Sequence, residues 1–282
     1  MPEKLEISPG FLLASALAGS VARIPTHPID TIKARMMASS SSSSFSQTLS
    51  STYNLEGWRG LYRGFWFTAT ASLPASCVYF TTQEWSRTHV FSNALLSGFL
   101  AEAVSCVLYV PIDVVKERVQ VQRIDTATKE YGLRYANGLT AFKAIIAEEG
   151  LSGLYKGYFS TLASFGPFSA LYFYFYEGYR EQITGIYDNK PIPAYAFWMG
   201  GGLCGAAAAF LTTPLDLIKL RKQLDPMSPF YHKGDLSSGL ARTLKAEGFA
   251  GVFRGASARV LFFSPTTAFS MALFEVLKAR IS

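Results

Sequence analysis

The stretch Pro28-Ile29-Asp30-Thr31-Ile32-Lys33 decides the reading of this chain, because it returns twice. It recurs as Pro111-Ile112-Asp113-Val114-Val115-Lys116 and as Pro214-Leu215-Asp216-Leu217-Ile218-Lys219. A second motif follows each copy. Glu56-Gly57-Trp58-Arg59-Gly60-Leu61-Tyr62-Arg63-Gly64 is matched over 149–157 and over 247–255. A third element closes each unit: Glu84 with Arg87, Glu177 with Arg180, Glu275 with Lys278. Three motifs in three copies and one fixed order define an internal repeat. Its units are 1–90, 91–186 and 187–282, three parts of a single domain.

Between the motifs lie six mostly apolar stretches: 9–29, 64–83, 91–112, 157–176, 191–215 and 255–274. Each has roughly the 20 residues a helix needs to cross a hydrocarbon core of about 30 Å. The second, fourth and fifth hold no Asp, Glu, Lys or Arg; the others hold one each, Arg23, Glu102 and Arg259. The whole chain is 49% apolar and only 16% charged, against about 25% charged in an ordinary soluble domain. That composition excludes a disordered protein, a disulfide scaffold and a collagen-like rod. Six such helices in a soluble protein would leave too little polar surface to cover them. The expected fold is an all-α membrane protein with six transmembrane helices in three pseudo-threefold repeats. Cys77, Cys106 and Cys204 sit in apolar runs without a CxxC and read as small hydrophobes. The start MPEKLEISPG reads as neither signal nor transit peptide.

An even number of spans puts both termini on one side. Segments 33–63, 116–156 and 219–254 hold eighteen of the twenty-six Lys and Arg residues. They are expected to face the more negative compartment. The net charge of +6 then reads as topology and contact with anionic lipid, with no nucleic-acid partner.

On these motifs the chain resembles the mitochondrial carrier family, over essentially its whole length. The resemblance implies six helices around one central cavity, short matrix helices along the membrane in each loop, and the inner mitochondrial membrane with both termini in the intermembrane space. It also implies a monomer without cofactor, and cardiolipin at the matrix-side helix ends near Gly60, Gly153 and Gly251.

Each PxDxxK sets an acid and a base three residues apart on one face of a helix end, with a proline kink (Pro28, Pro111, Pro214) just before them. Three such ends converging on an axis close a ring if each acid takes the next repeat's base. The resemblance implies the matrix-side pairs Asp30–Lys116, Asp113–Lys219 and Asp216–Lys33. It adds bracing glutamines at Gln120 and Gln223, where the first repeat has Met37. On the opposite side it implies Glu84–Arg180, Glu177–Lys278 and Glu275–Arg87. Two rings that close alternately meet the physical requirement for a transporter. Exposed pairs are worth about 0–1 kcal/mol each, so a ring of three can break when substrate compensates.

Charges within a span are costly unless they face water or a partner. Arg23 lies five residues before Pro28 and Glu102 nine before Pro111, which puts both on the same relative helix face. Both are expected to face the cavity, as substrate contacts or as partners of each other. The resemblance carries the family's contact points to Ala71 and Ser72, Ser164 and Phe165, and Phe262 and Phe263. None is an arginine, and Arg259 is the nearby base, for the gate or for substrate. A polyanion would want several fixed cations, so nucleotides and tricarboxylates are disfavoured. A zwitterionic, cationic or aromatic-faced metabolite fits, with Phe165, Phe262 and Phe263 to stack on it or hold a cation. The run Ala101-Glu102-Ala103-Val104-Ser105-Cys106 is similar to the corresponding helix of S-adenosylmethionine carriers, which have an acid where this chain has Arg23.

An enzyme would need a catalytic set, yet His27, His89 and His232 are scattered and no HExxH or GxSxG occurs. No metal site is expected, although a mitoferrin-like metal carrier and a non-transporting carrier-fold receptor or scaffold stay as alternatives. The leading expectation is a solute carrier, by exchange or uniport, for one small organic molecule.

Overall fold

The computed structural model describes residues 9–39, 44–90, 94–122, 135–187, 192–224 and 236–281. Side chains are described between 24 and 268, except those of Phe80, Glu84, Arg87, Ala94, Leu95 and Ala194. Arg23, Glu84, Arg87, Glu275 and Lys278, named above, therefore lie outside the described side chains. The described residues form α1 (Pro9–Ala38), α2 (Phe45–Leu61), α3 (Phe65–His89), α4 (Ala94–Val121) and α5 (Gly138–Leu154). They continue with α6 (Tyr158–Tyr187), α7 (Ala194–Leu211), α8 (Thr213–Gln223), α9 (Leu236–Val252) and α10 (Ala256–Ile281).

Contacts run from α1 to α3, α3 to α4, α4 to α6, α6 to α7, α7 to α10 and α10 back to α1, so the long helices close a ring. The ends of α1, α4 and α8 also touch one another, and the short helices α2, α5 and α9 pack on these same three. Among the described residues only Leu96–Val121 is by itself long and apolar enough to cross a membrane; Tyr195–Leu211 with Thr213–Gln223 qualifies as one bent span. The other long helices carry buried hydroxyls and charges, such as Thr68, Ser72, Ser160, Thr161, Ser164 and Arg259. These dilute an apolar average without exposing polarity to lipid.

The three prolines act differently. Proline has no N–H, so the carbonyl four residues earlier loses its helical partner. In α1 that carbonyl is Ile24, and the Tyr62 hydroxyl donates to it at 3.1 Å. In α4 it is Val107, which takes the Tyr155 hydroxyl at 3.1 Å. Both helices run on unbroken through Pro28 and Pro111. The third repeat has Phe253 in place of the tyrosine; its ring has no hydroxyl to donate and stacks on Phe210 at 5.1 Å. There the helix breaks at Thr212, and α8 leaves α7 at 62°.

In each short helix a glycine at positive φ follows the glutamate: Gly57, Gly150 and Gly248, at 62°, 69° and 68°. This left-handed backbone suits glycine and folds the next turn back on the glutamate. A Cβ on Gly60, Gly153 or Gly251 would collide with Glu56, Glu149 or Glu247.

Those glutamates anchor a threefold clamp. Arg35 grips Glu56 with both terminal nitrogens, at 2.8 and 2.9 Å. Arg118 grips Glu149 at 2.5 and 3.0 Å, and Arg221 grips Glu247 at 2.8 and 3.0 Å. Each glutamate also takes a second cation, from Arg63, Lys156 or Arg254, at 2.8–2.9 Å. The remaining arginine nitrogen reaches into the next repeat: Arg35 Nε donates to Gln120 O, Arg118 Nε to Gln223 O and Arg221 Nε to Met37 O. All three arginines are buried, and removing one partner of such a pair costs about 3–5 kcal/mol. Burial acts to raise the Glu149 carboxyl, but the hydrogen bonds from Arg118 and Lys156 outweigh it and hold it below the usual carboxylate range.

Candidate functional site

Where α1, α4 and α8 converge, three inter-repeat ion pairs meet. Lys116 Nζ lies 2.5 Å from Asp30, Lys219 Nζ 3.0 Å from Asp113, and Lys33 Nζ 3.2 Å from Asp216. The proline-to-lysine spacing explains the meeting, since each acid and base leave the helix end on one face. The ring is not symmetric. Lys33 also sits 3.6 Å from Asp30 on its own helix, Arg259 of α10 lies 3.6 Å from Asp216, and Lys116 lies 3.5 Å from Glu117. Arg259 further donates to Thr212 O at 2.7 Å, the carbonyl at the α7–α8 break.

Neither glutamine side chain hydrogen-bonds these pairs among the described residues. The Gln120 amide reaches Thr31 at 3.1 Å and His27 at 3.3 Å. His27 also meets Arg63 O at 2.9 Å. The Gln223 side chain is buried with no hydrogen-bond partner among the described residues.

Two hollows lie on the axis. The larger, of about 470 Å³, takes Tyr79 from α3, Glu102, Tyr109 and Asp113 from α4, and Thr161, Ser164, Phe165 and Phe168 from α6. Asp216 and Lys219 from α8 and Arg259 and Phe263 from α10 complete it. The smaller, of about 170 Å³, reaches the ring itself and includes His27, Asp30, Thr68, Lys116, Glu117 and Phe262. Tyr109, Asp113 and Lys219 border both. Of the sequence-named contacts, Ser164, Phe165, Phe262 and Phe263 line these hollows, whereas Ala71 and Ser72 are not among the lining residues. Tyr79, Tyr109, Phe168 and Glu117 were not foreseen.

The charges in the larger hollow are mostly committed. Asp113 and Lys219 hold each other, and Asp216 holds Lys33 with Arg259. The Arg259 guanidinium also lies over the rings of Phe263 and Phe168, at 5.3 and 5.8 Å. Glu102 forms no ion pair among the described residues; its carboxylate accepts the weak Cys106 thiol at 3.5 Å. Among the described residues the hollow therefore presents one carboxyl group without an ion-pair partner, Glu102, beside five aromatic rings. Cations are attracted to such faces by about 0.5–2 kcal/mol. Among the described residues no three His, Cys, Asp or Glu side chains are grouped to hold a metal ion. Toward the other end of α6, Glu177 and Arg180 are both exposed.

Comparison with known proteins agrees with this architecture. The family described as mitochondrial carrier protein matches three times, over residues 8–94, 87–186 and 190–282. Mitochondrial substrate carrier family protein E of Dictyostelium discoideum is 32% identical over 299 residues, covering 99% of this chain and 98% of that protein. The succinate/fumarate mitochondrial transporter of Saccharomyces cerevisiae is 28% identical, covering 96% and 90%. The mitochondrial S-adenosylmethionine carrier protein of Danio rerio is 29% identical, covering 90% of each.

Proposed function

The chain belongs to the mitochondrial carrier family, and on that premise we propose that it moves a small organic cation or zwitterion with a flat or apolar part. It is a multi-pass transporter of the inner mitochondrial membrane, and its cargo is a small molecule. The observation that carries the substrate reading is the Glu102 carboxyl group, without an ion pair among the described residues and in a hollow of about 470 Å³ walled by Tyr79, Tyr109, Phe165, Phe168 and Phe263. A pocket of that size suits a ligand of a few hundred daltons, with apolar walls for affinity and a few polar groups for orientation. S-adenosylmethionine, the cargo named for the Danio rerio relative, has this character: a sulfonium cation, an amino-acid zwitterion and a flat adenine. Arg23 on α1 is assigned to the anionic end of such a substrate.

Transport runs by alternating closure. The ring of Asp30, Lys33, Asp113, Lys116, Asp216 and Lys219 is the matrix gate, and the basic loops face the matrix. The second gate joins Glu84, Arg87, Glu177, Arg180, Glu275 and Lys278 on the intermembrane side, where both termini lie. A bound cation offsets Glu102, and the contacts it gains as the walls close supply the energy that opens the ring. Cardiolipin is assigned to the hollow of about 560 Å³ lined by Arg59, Arg63, Trp66, Asn137 and Gly138, beside Gly60 and at the amino end of α5. Helix amino ends and arginines favour phosphate. The equivalent seats are near Gly153 and Gly251, and the protein acts as a monomer.

Purified protein in liposomes tests the reading against a panel of S-adenosylmethionine, basic amino acids and dicarboxylates. Cations and zwitterions are taken up, and Glu102→Gln loses that uptake while the protein stays folded. Preference for dicarboxylates, or unchanged cation uptake in Glu102→Gln, refutes it.

A further inference from the structure

One acid in the ring region has no counterpart in the other repeats. Glu117 follows Lys116 directly, where the first repeat has Ala34 and the third has Leu220. Those two join an apolar cluster between α1 and α8, with Met37 and Leu217. Glu117 instead borders the small hollow at the ring, is 6% exposed, and leaves its Oε2 atom without a hydrogen-bond partner among the described residues. Its Oε1 atom lies 3.5 Å from the Lys116 ammonium, which is itself held by Asp30 at 2.5 Å. Asp30 and Lys33 of α1, Asp113 of α4 and Lys219 of α8 are the other charges whose fields reach it.

We propose that Glu117 is a standby partner for Lys116, a positioning residue that takes over the lysine when the Asp30–Lys116 link opens. A buried ammonium stripped of its carboxylate is strongly disfavoured. Opening the α1–α4 latch without a replacement leaves Lys116 in that state. Glu117 needs no helix movement to receive it, because both side chains ride on α4 and border the same hollow, which gives room for the swing. Asp30, released at the same moment, already has Lys33 at 3.6 Å on its own helix. The α1–α4 link can thus part with both charges still compensated. This inference rests on the gate reading above.

Two measurements decide it, one of them independent of any substrate. In thermal unfolding of the purified protein, Asp30→Asn alone costs little, because Lys116 turns to Glu117. Asp30→Asn with Glu117→Gln then lowers Tm by about 5 °C more than the two single shifts summed. In liposomes, Glu117→Gln and Glu117→Leu, the latter copying the third repeat, slow maximal uptake about tenfold, the difference between a charged and a neutral partner. Glu117→Asp keeps most of the rate. Additive Tm shifts overturn the proposal, as does parental uptake in Glu117→Leu. Failure of the parent protein to move any cation or zwitterion tells against the substrate reading alone, and the unfolding arm still decides this one.

Discussion

Replacing Asp113 by lysine tests the ring at its α4–α8 link. The native pair stands at 3.0 Å with side chains about one-fifth to one-quarter exposed, 26% for Asp113 and 18% for Lys219. The substitution trades an attraction for two ammonium groups facing each other. At about 4 Å and an effective dielectric constant near 20, that repulsion is about 4 kcal/mol. Part of it relaxes as the lysines swing into the hollow, leaving a cost of about 2–4 kcal/mol. For a chain of this length that is a fall in Tm of about 10 °C, with loss of transport. Adding Lys219→Asp restores an ion pair of opposite direction. The rescue is incomplete, since the new acid stands three residues after Asp216 and the new base three before Lys116, each at a cost of about 0.2–0.5 kcal/mol. Thermal unfolding and liposome uptake of the parent, the single and the double variant read the cycle. A double variant no more stable and no more active than the single refutes the ring as the source of the effect.

Tyr155→Phe removes the hydroxyl that serves the Val107 carbonyl; it is expected to cost about 1 kcal/mol, read as a lower Tm. Phe253→Tyr, its converse in the third repeat, leaves Tm unchanged or higher. The Glu149 carboxyl is held below its ordinary range in the folded protein. Its contribution to stability is therefore complete above the unfolded carboxylate value near pH 4 and is lost as pH falls through the lower folded value. Glu149→Gln flattens the acid limb of a Tm-against-pH curve, and an unchanged limb counts against the clamp as its cause.

Repetition made the fold legible. Three copies of a proline-acid-base motif, each at the end of an apolar stretch, are enough to place six long helices and to bring three acids near three bases. Single-residue departures from the repeat were harder to weigh. The helix that the sequence reads as one span from 191 to 215 breaks at Thr212 in the repeat where Phe253 stands for the tyrosine, and a missing hydroxyl leaves no trace in hydropathy. Arg35, Arg118 and Arg221 stood in plain threefold register two residues after each lysine, yet their partner glutamates are remote in sequence, and only a glycine-made turn aims one at the other. Tyr79, Tyr109 and Phe168 look like any other aromatic residue in an apolar helix. Which of them turns inward depends on how each helix is rotated, a quantity no single sequence fixes. The resemblance matches Gln120 and Gln223 to bracing glutamines four residues after the lysines; the Gln120 amide bonds Thr31 and His27.

The arginine clamps have a mechanical consequence. Each one grips the short helix of its own repeat with one end and a carbonyl at the close of the following repeat's α1, α4 or α8 with the other, so the three repeats are fastened one to the next in a closed loop. No hairpin in such a loop can swing out by itself, as a hinged door would. A displacement begun at one is handed to its neighbour and returns to its origin, so any opening at this end of the bundle would resemble that of a camera shutter, with all its leaves turning together.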